Sequence, residues 1–154
     1  MIIVDLPDEA ATAELAARIA AQVAPGDIIA LRGDLGAGKT SVARAFLRAR
    51  GDAHEEVPSP TFTLVQIYQL DAVAIWHFDL YRLDGAEEAW ELGIEEAFAS
   101  GVSLIEWPER LASLLPQRRL EITLDFGDRP AARRASLAGD ARWRARLAEV
   151  DADA

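Results

Sequence analysis

Residues 33–40 read GDLGAGKT, and Lys39 within this stretch is the only lysine of the chain; the other 15 of its 16 lysines and arginines are arginine. The pattern is G-x-x-x-x-G-K-T, the phosphate-binding P-loop. Gly33, Gly36 and Gly38 permit backbone angles that a side chain would block. The loop can then turn successive N–H groups inward around an anion. A helix beginning near Thr40 adds the positive end of its dipole. The ammonium of Lys39 is a compact charge on a flexible stem, able to reach β- and γ-phosphate oxygens, where a planar guanidinium fits less well. That need explains a lysine in a chain that otherwise uses arginine. Thr40 would offer its hydroxyl to Mg²⁺.

The flanks supply the context the motif requires. Residues 27–32 (DIIALR) read as a buried strand that runs into Gly33, and residues 40–50 (TSVARAFLRAR) as an amphipathic helix stopped by Gly51. Working outward, residues 2–6 predict a strand and residues 8–23 a helix ended by Pro25-Gly26. Residues 61–70 and 73–80 predict two strands, and the two-residue break between them predicts an antiparallel hairpin. Asp84 and Glu87 form a capping-box pattern for a helix interrupted near Gly93 and resumed over 94–99. Residues 102–106 (VSLIE) predict a strand, 111–115 a short helix, 120–126 (LEITLDF) and 134–137 two further strands, and 140–150 a last helix before a fraying tail. This order predicts one α/β domain over residues 1–154: a P-loop NTPase-like, three-layer fold with a twisted, mostly parallel sheet, added antiparallel strands and helices on both faces.

Composition narrows the function. The net charge of −10 repels a phosphate backbone, so direct non-specific nucleic-acid binding is not expected. The absence of cysteine excludes disulfides, thiolate metal sites and cysteine nucleophiles. No signal peptide and no membrane span is legible, which predicts a cytoplasmic protein.

A P-loop also needs acids near its metal, at the ends of neighbouring strands. Asp79 follows AVAIWHF and Glu106 follows VSLI. One could hold Mg²⁺ and the other orient the attacking water; spacing alone does not assign the two roles. The sole lysine is already in the loop, so the N-K-x-D element of a guanine-selective site is absent, which favours ATP. His77 reads as a packed, hydrogen-bonded histidine. Trp90 and Trp143 read as packing anchors. Arg82 is a candidate for a phosphate or for a surface ion pair. Six arginines between Arg129 and Arg146 form a basic run, either a solvated face or a docking surface.

GDLGAGKTSVARAFL, SPTFTLVQIY, HFDLYRL and LIEWPE occur in that order and at this spacing. Together they resemble the TsaE (YjeE) family over about residues 6–125. That resemblance implies a small P-loop ATPase needed for N6-threonylcarbamoyladenosine (t6A) in tRNA. Its partners would be TsaD and TsaB, its cofactors ATP and Mg²⁺, and its contact with tRNA indirect, through that complex. By the same resemblance Gly33, Asp34, Leu35, Gly36, Ala37, Gly38, Lys39, Thr40 and Ser41 match the nucleotide loop. Thr40 and Glu106 match the Mg²⁺ positions, and Asp79 a second acid needed for hydrolysis. Residues 59–63 match a switch-like loop and Trp107 an aromatic beside the nucleotide or partner. Thr12 and Arg134 fall where a base pocket is completed. Two other functions fit a domain of this size: a small-metabolite kinase, and an adaptor gated by nucleotide binding alone.

Overall fold

The computed structural model describes residues 1–51, 64–70 and 73–152. The expected switch-like loop at 59–63, the first three residues of the expected strand 61–70 and the break at 71–72 lie outside them. In chain order the regular elements are β1 (Ile2–Leu6), α1 (Glu9–Ala20), β2 (Ile28–Arg32), α2 (Lys39–Arg50), β3 (Val65–Leu70), β4 (Val73–Asp79), α3 (Ile94–Ser100), β5 (Val102–Glu106), β6 (Leu120–Phe126), β7 (Arg133–Gly139) and α4 (Ala141–Ala152). Two 3-10 helices, Ala86–Leu92 and Pro108–Leu114, join them.

All seven strands form one sheet in the order β1-β7-β6-β2-β5-β4-β3. The middle is parallel: β2 pairs in parallel with β6 and β5, and β5 with β4. Both margins are antiparallel, with β7 between β1 and β6 on one side and β3 against β4 on the other. β2 and β5 are apolar almost throughout, as strands covered on both faces must be. Side-chain alternation sorts them. Ile29, Leu31, Leu104 and Ile122 turn to the face covered by α1, α2 and α4, where they meet Leu15, Phe46 and Trp143. Ile28 and Ile105 turn to the other face, against Trp76, Phe78, Ile94 and Leu111. The expected three-layer α/β arrangement is therefore present.

The expected capping box is not formed. Gly85, between Asp84 and Ala86, is extended (φ −154°, ψ 153°), so Asp84 cannot cap a helix that begins two residues later. The segment winds only as a 3-10 helix, up to a left-handed Gly93. The predicted helix over 111–115 is likewise a 3-10 segment, Pro108–Leu114, kinked at Ala112. Trp143 is a core residue as expected, whereas Trp90 is 48% exposed.

α4 is fastened by charge as well as by Trp143. Asp27, fully buried just before β2, accepts the backbone N–H of Ala24 at 2.6 Å, Arg142 Nη2 at 2.5 Å and Arg146 Nη1 at 2.6 Å. Two members of the basic run thus pair with a buried aspartate, Arg146 mostly covered and Arg142 half exposed. A buried carboxylate left without its partners is costly. Arg142→Ala combined with Arg146→Ala removes both, and the double variant is expected to lose about 3 kcal/mol of stability. Urea denaturation measures this; a midpoint equal to wild type would show that the cluster does not hold α4.

Candidate functional site

β2, β5 and β4 run side by side and end together: Leu31 is in register with Glu106, and Glu106 with Asp79. β2 continues into the glycine loop at this edge, where open α/β sheets place their ligands. The loop lies tightly on β6. Gly33 sits at φ +148°, and a Cβ there would meet Leu124 O at 2.8 Å, so only glycine fits. Gly38, at φ 105°, turns the chain into α2. The first intrahelical bond from this end is Val42 N–H to Gly38 O, so the amides of Lys39, Thr40 and Ser41 precede the helical ladder.

Lys39 is 4% exposed. Its Nζ donates to Gly33 O at 2.6 Å and Asp34 O at 3.0 Å and lies 4.1 Å from the centre of the Trp107 ring. Burial pushes its pKa down, against the opposing charges of Glu106, Glu109, Asp79 and Asp34. Thr40 Oγ1 donates to Glu106 Oε1 at 2.7 Å, and His77 Nε2 lies 2.6 Å from Glu106 Oε2. An ionised Glu106 only accepts, so this contact places a proton on Nε2. His77 is therefore packed and hydrogen-bonded as expected, and its partner is the candidate metal-site acid.

Strand alternation explains the grouping. Val73, Ile75, His77 and Asp79 share one face of β4, and Leu104 and Glu106 the same face of β5. That face carries α2, and with it Thr40. Burial pushes the Asp79 carboxyl up; the Tyr81 N–H bond to Oδ1, 3.2 Å, works the other way. Lys39, Thr40, Ser41, Asp79, Glu106 and Trp107 line one cavity of about 270 Å³, together with Leu35, Gly36, Gly38 and Tyr81. Trp107 holds a left-handed backbone (φ 61°, ψ 51°) and tilts against Tyr81 with ring centres 5.0 Å apart.

A second cavity, of about 650 Å³, adjoins the first through Gly38 and Ser41 and is walled by Thr12, Arg44, Arg48 and Arg133. Thr12, one of the two residues the resemblance put at a base pocket, lines this cavity. Arg134 does not: it turns to the opposite face of β7 and donates to Asp5 at 2.9 Å. The neighbouring Arg133 lines the cavity instead. The signal was available, because Arg133 shares parity with the apolar Ala135 and Leu137 that face α1 and α2. Arg44 and Arg48 also escaped notice, hidden in a helix read only for its amphipathic pattern. Arg82 is exposed.

A profile of the family described as "Threonylcarbamoyl adenosine biosynthesis protein TsaE" matches residues 6–135. A Rickettsia felis protein named "tRNA threonylcarbamoyladenosine biosynthesis protein TsaE" is 42% identical over 123 residues, spanning 80% of this chain and 72% of the relative. A Bacillus subtilis protein of the same name is 40% identical over 119 residues, 77% of this chain and 72% of its own. The crystal structure of Bacillus subtilis YdiB superposes with a TM-score of 0.78 at 26% identity, covering 99% of this chain and 95% of that one. With the whole domain matched in shape and most of it in sequence, the chain belongs to the TsaE family.

Proposed function

We propose that this protein binds and hydrolyses ATP in the service of t6A formation in tRNA, acting in the cytoplasm on a TsaD–TsaB assembly to activate or reset it. The observation that supports the reading most directly is the convergence of Lys39, Thr40, Asp79 and Glu106 on one cavity beside the glycine loop. The amides that open α2 and the Lys39 ammonium suit the β- and γ-phosphates, which leaves the larger adjoining cavity for ribose and adenine.

The donor set also fits Mg²⁺. Among the described residues no group of three or more His, Cys, Asp or Glu could hold a metal alone. A hydroxyl and a carboxylate oxygen 2.7 Å apart suit a hard cation that keeps waters and takes its remaining ligands from phosphates. Thr40 and Glu106 would hold it. When bound, Mg²⁺ neutralises charge on the phosphate oxygens during transfer. His77 fixes the Glu106 carboxylate by occupying its second oxygen. Asp79, whose carboxyl burial pushes up, would on this reading accept a proton from water attacking the γ-phosphate. Trp107 stacks on the Lys39 ammonium and closes one wall. The acidic surface argues that tRNA is met through the partner complex rather than directly.

A multi-turnover reconstitution tests the role. With TsaD, TsaB, tRNA and the activated threonylcarbamoyl donor, modification should continue past one round per complex only when this protein and ATP are present. Equal turnover without it would refute the assignment. In calorimetry, Lys39→Ala should weaken ATP binding about 10- to 100-fold, the loss of one charge-assisted phosphate contact. Asp79→Ala and Glu106→Ala should retain measurable ATP binding and lose hydrolysis by about a hundredfold or more. Unchanged ATP affinity in the lysine variant would remove the phosphate assignment.

Asp79 generates a pH prediction as well. An acid whose folded pKa is raised costs stability once ionised. The cost is absent below the ordinary value of 3.8 and complete above the raised one. In EDTA without nucleotide, Asp79→Asn should melt higher than wild type at pH 7, by about 1–3 °C for a partly exposed group. The gap should close as the pH falls toward 4. A variant melting below wild type at pH 7 would contradict the burial penalty.

A further inference from the structure

We propose that Arg133 is a positioning residue for the anion-binding loop: it holds two loop carbonyls outward, and so aims the amide of Gly38 at the phosphate. The proposal rests on the nucleotide-binding reading above. The guanidinium spends its donors on backbone. Nε donates to Ala37 O at 2.9 Å and Nη2 to Gly36 O at 3.1 Å. Nη1 donates to Pro130 O and Ala132 O, each at 2.7 Å. The guanidinium Cζ lies 4.9 Å from the centre of the Phe126 ring. Among the described residues no carboxylate pairs with it. One side chain on β7 therefore ties the glycine loop to the β6–β7 turn, and its charge stays beside the 650 Å³ cavity it helps to wall.

The effect on the loop follows from peptide geometry. No described peptide bond is cis, and across a trans peptide the C=O and N–H point in opposite directions. With the Gly36 carbonyl drawn to Arg133, the Ala37 N–H faces away, and there it donates to Asp34 O at 3.0 Å and closes the loop's turn. With the Ala37 carbonyl drawn to Arg133, the Gly38 N–H likewise faces away from it. That amide heads the series continued by Lys39, Thr40 and Ser41 at the start of α2. A glycine at φ 105° has little intrinsic preference to keep that plane fixed; a planar fork that spans two neighbouring carbonyls supplies the constraint. The close approach of Gly33 to Leu124 fixes the other end of the loop on the same hairpin.

The test separates aiming from charge and from base recognition. ATP and tripolyphosphate, which has no base or sugar, are titrated calorimetrically into wild type, Arg133→Ala, Arg133→Lys and Arg133→Gln. The temperature is one at which circular dichroism shows every variant used to be folded. Arg133→Ala is expected to lose affinity for both ligands by a similar factor, about tenfold or more. Lysine keeps the charge but not the fork, so Arg133→Lys should remain within a few-fold of the alanine variant. Full affinity for tripolyphosphate in Arg133→Ala overturns the inference, as does loss confined to ATP, which would mark a contact to ribose or base. Restoration of wild-type affinity by lysine but not glutamine also overturns it, since charge alone would then suffice. If the alanine variant does not fold, the lysine and glutamine variants carry the test: weakened binding in both supports it, and wild-type binding in either overturns it. Wild type that binds neither ligand would instead defeat the underlying nucleotide reading.

Discussion

A carboxylate that is 2% exposed is tolerated only if its oxygens are engaged. Glu106 has one oxygen on Thr40 and the other on His77. The rest of the site depends on that arrangement. Thr40 comes from the first turn of α2, His77 from the interior of β4, and Glu106 from the last residue of β5. Their meeting fixes the height of α2 above the sheet and the register of two parallel strands. Slipping β4 by one residue would turn His77 and Asp79 to the other face and leave Glu106 half-satisfied.

Charge within the site is arranged against the burial that surrounds it. Desolvation pushes both Lys39 and Asp79 toward their neutral forms, lowering the pKa of the first and raising that of the second, while the acids around Lys39 hold its charge. On the proposed reading, a triphosphate entering such a place would meet one ammonium, the amides that open α2 and a nearby guanidinium on a protein that is otherwise strongly acidic. Local geometry, not net charge, sets what binds there.

Much of this was legible in the residues. The glycines and Lys39 marked the loop, and the apolar runs before Asp79 and Glu106 marked strand ends. Parity along β4 was also available, and it places His77 beside the acids. What was not legible came from long-range pairing. Parity with Ala135 and Leu137 sets Arg133 apart from Arg134, but only the antiparallel pairing of β7 with β6 and β1 brings that face against α1 and the loop. Arg142 and Arg146 read as part of a basic stripe, because nothing local reveals a buried aspartate 115 and 119 residues away. The failed capping box is the opposite case. Asp84 and Glu87 have the right spacing, but an extended Gly85 shows that spacing without the intervening backbone is an incomplete signal.

The strand order has a kinetic corollary. Among the described residues β1 has a single neighbour, β7, so it finds its ladder only once residues 133–137, far along the chain, have been synthesised. Until then its open edge and apolar side chains must wait beside α1. Closure of the sheet is thus a late, non-local event, of the kind that slows folding and lengthens the time in which a nascent chain can mispair.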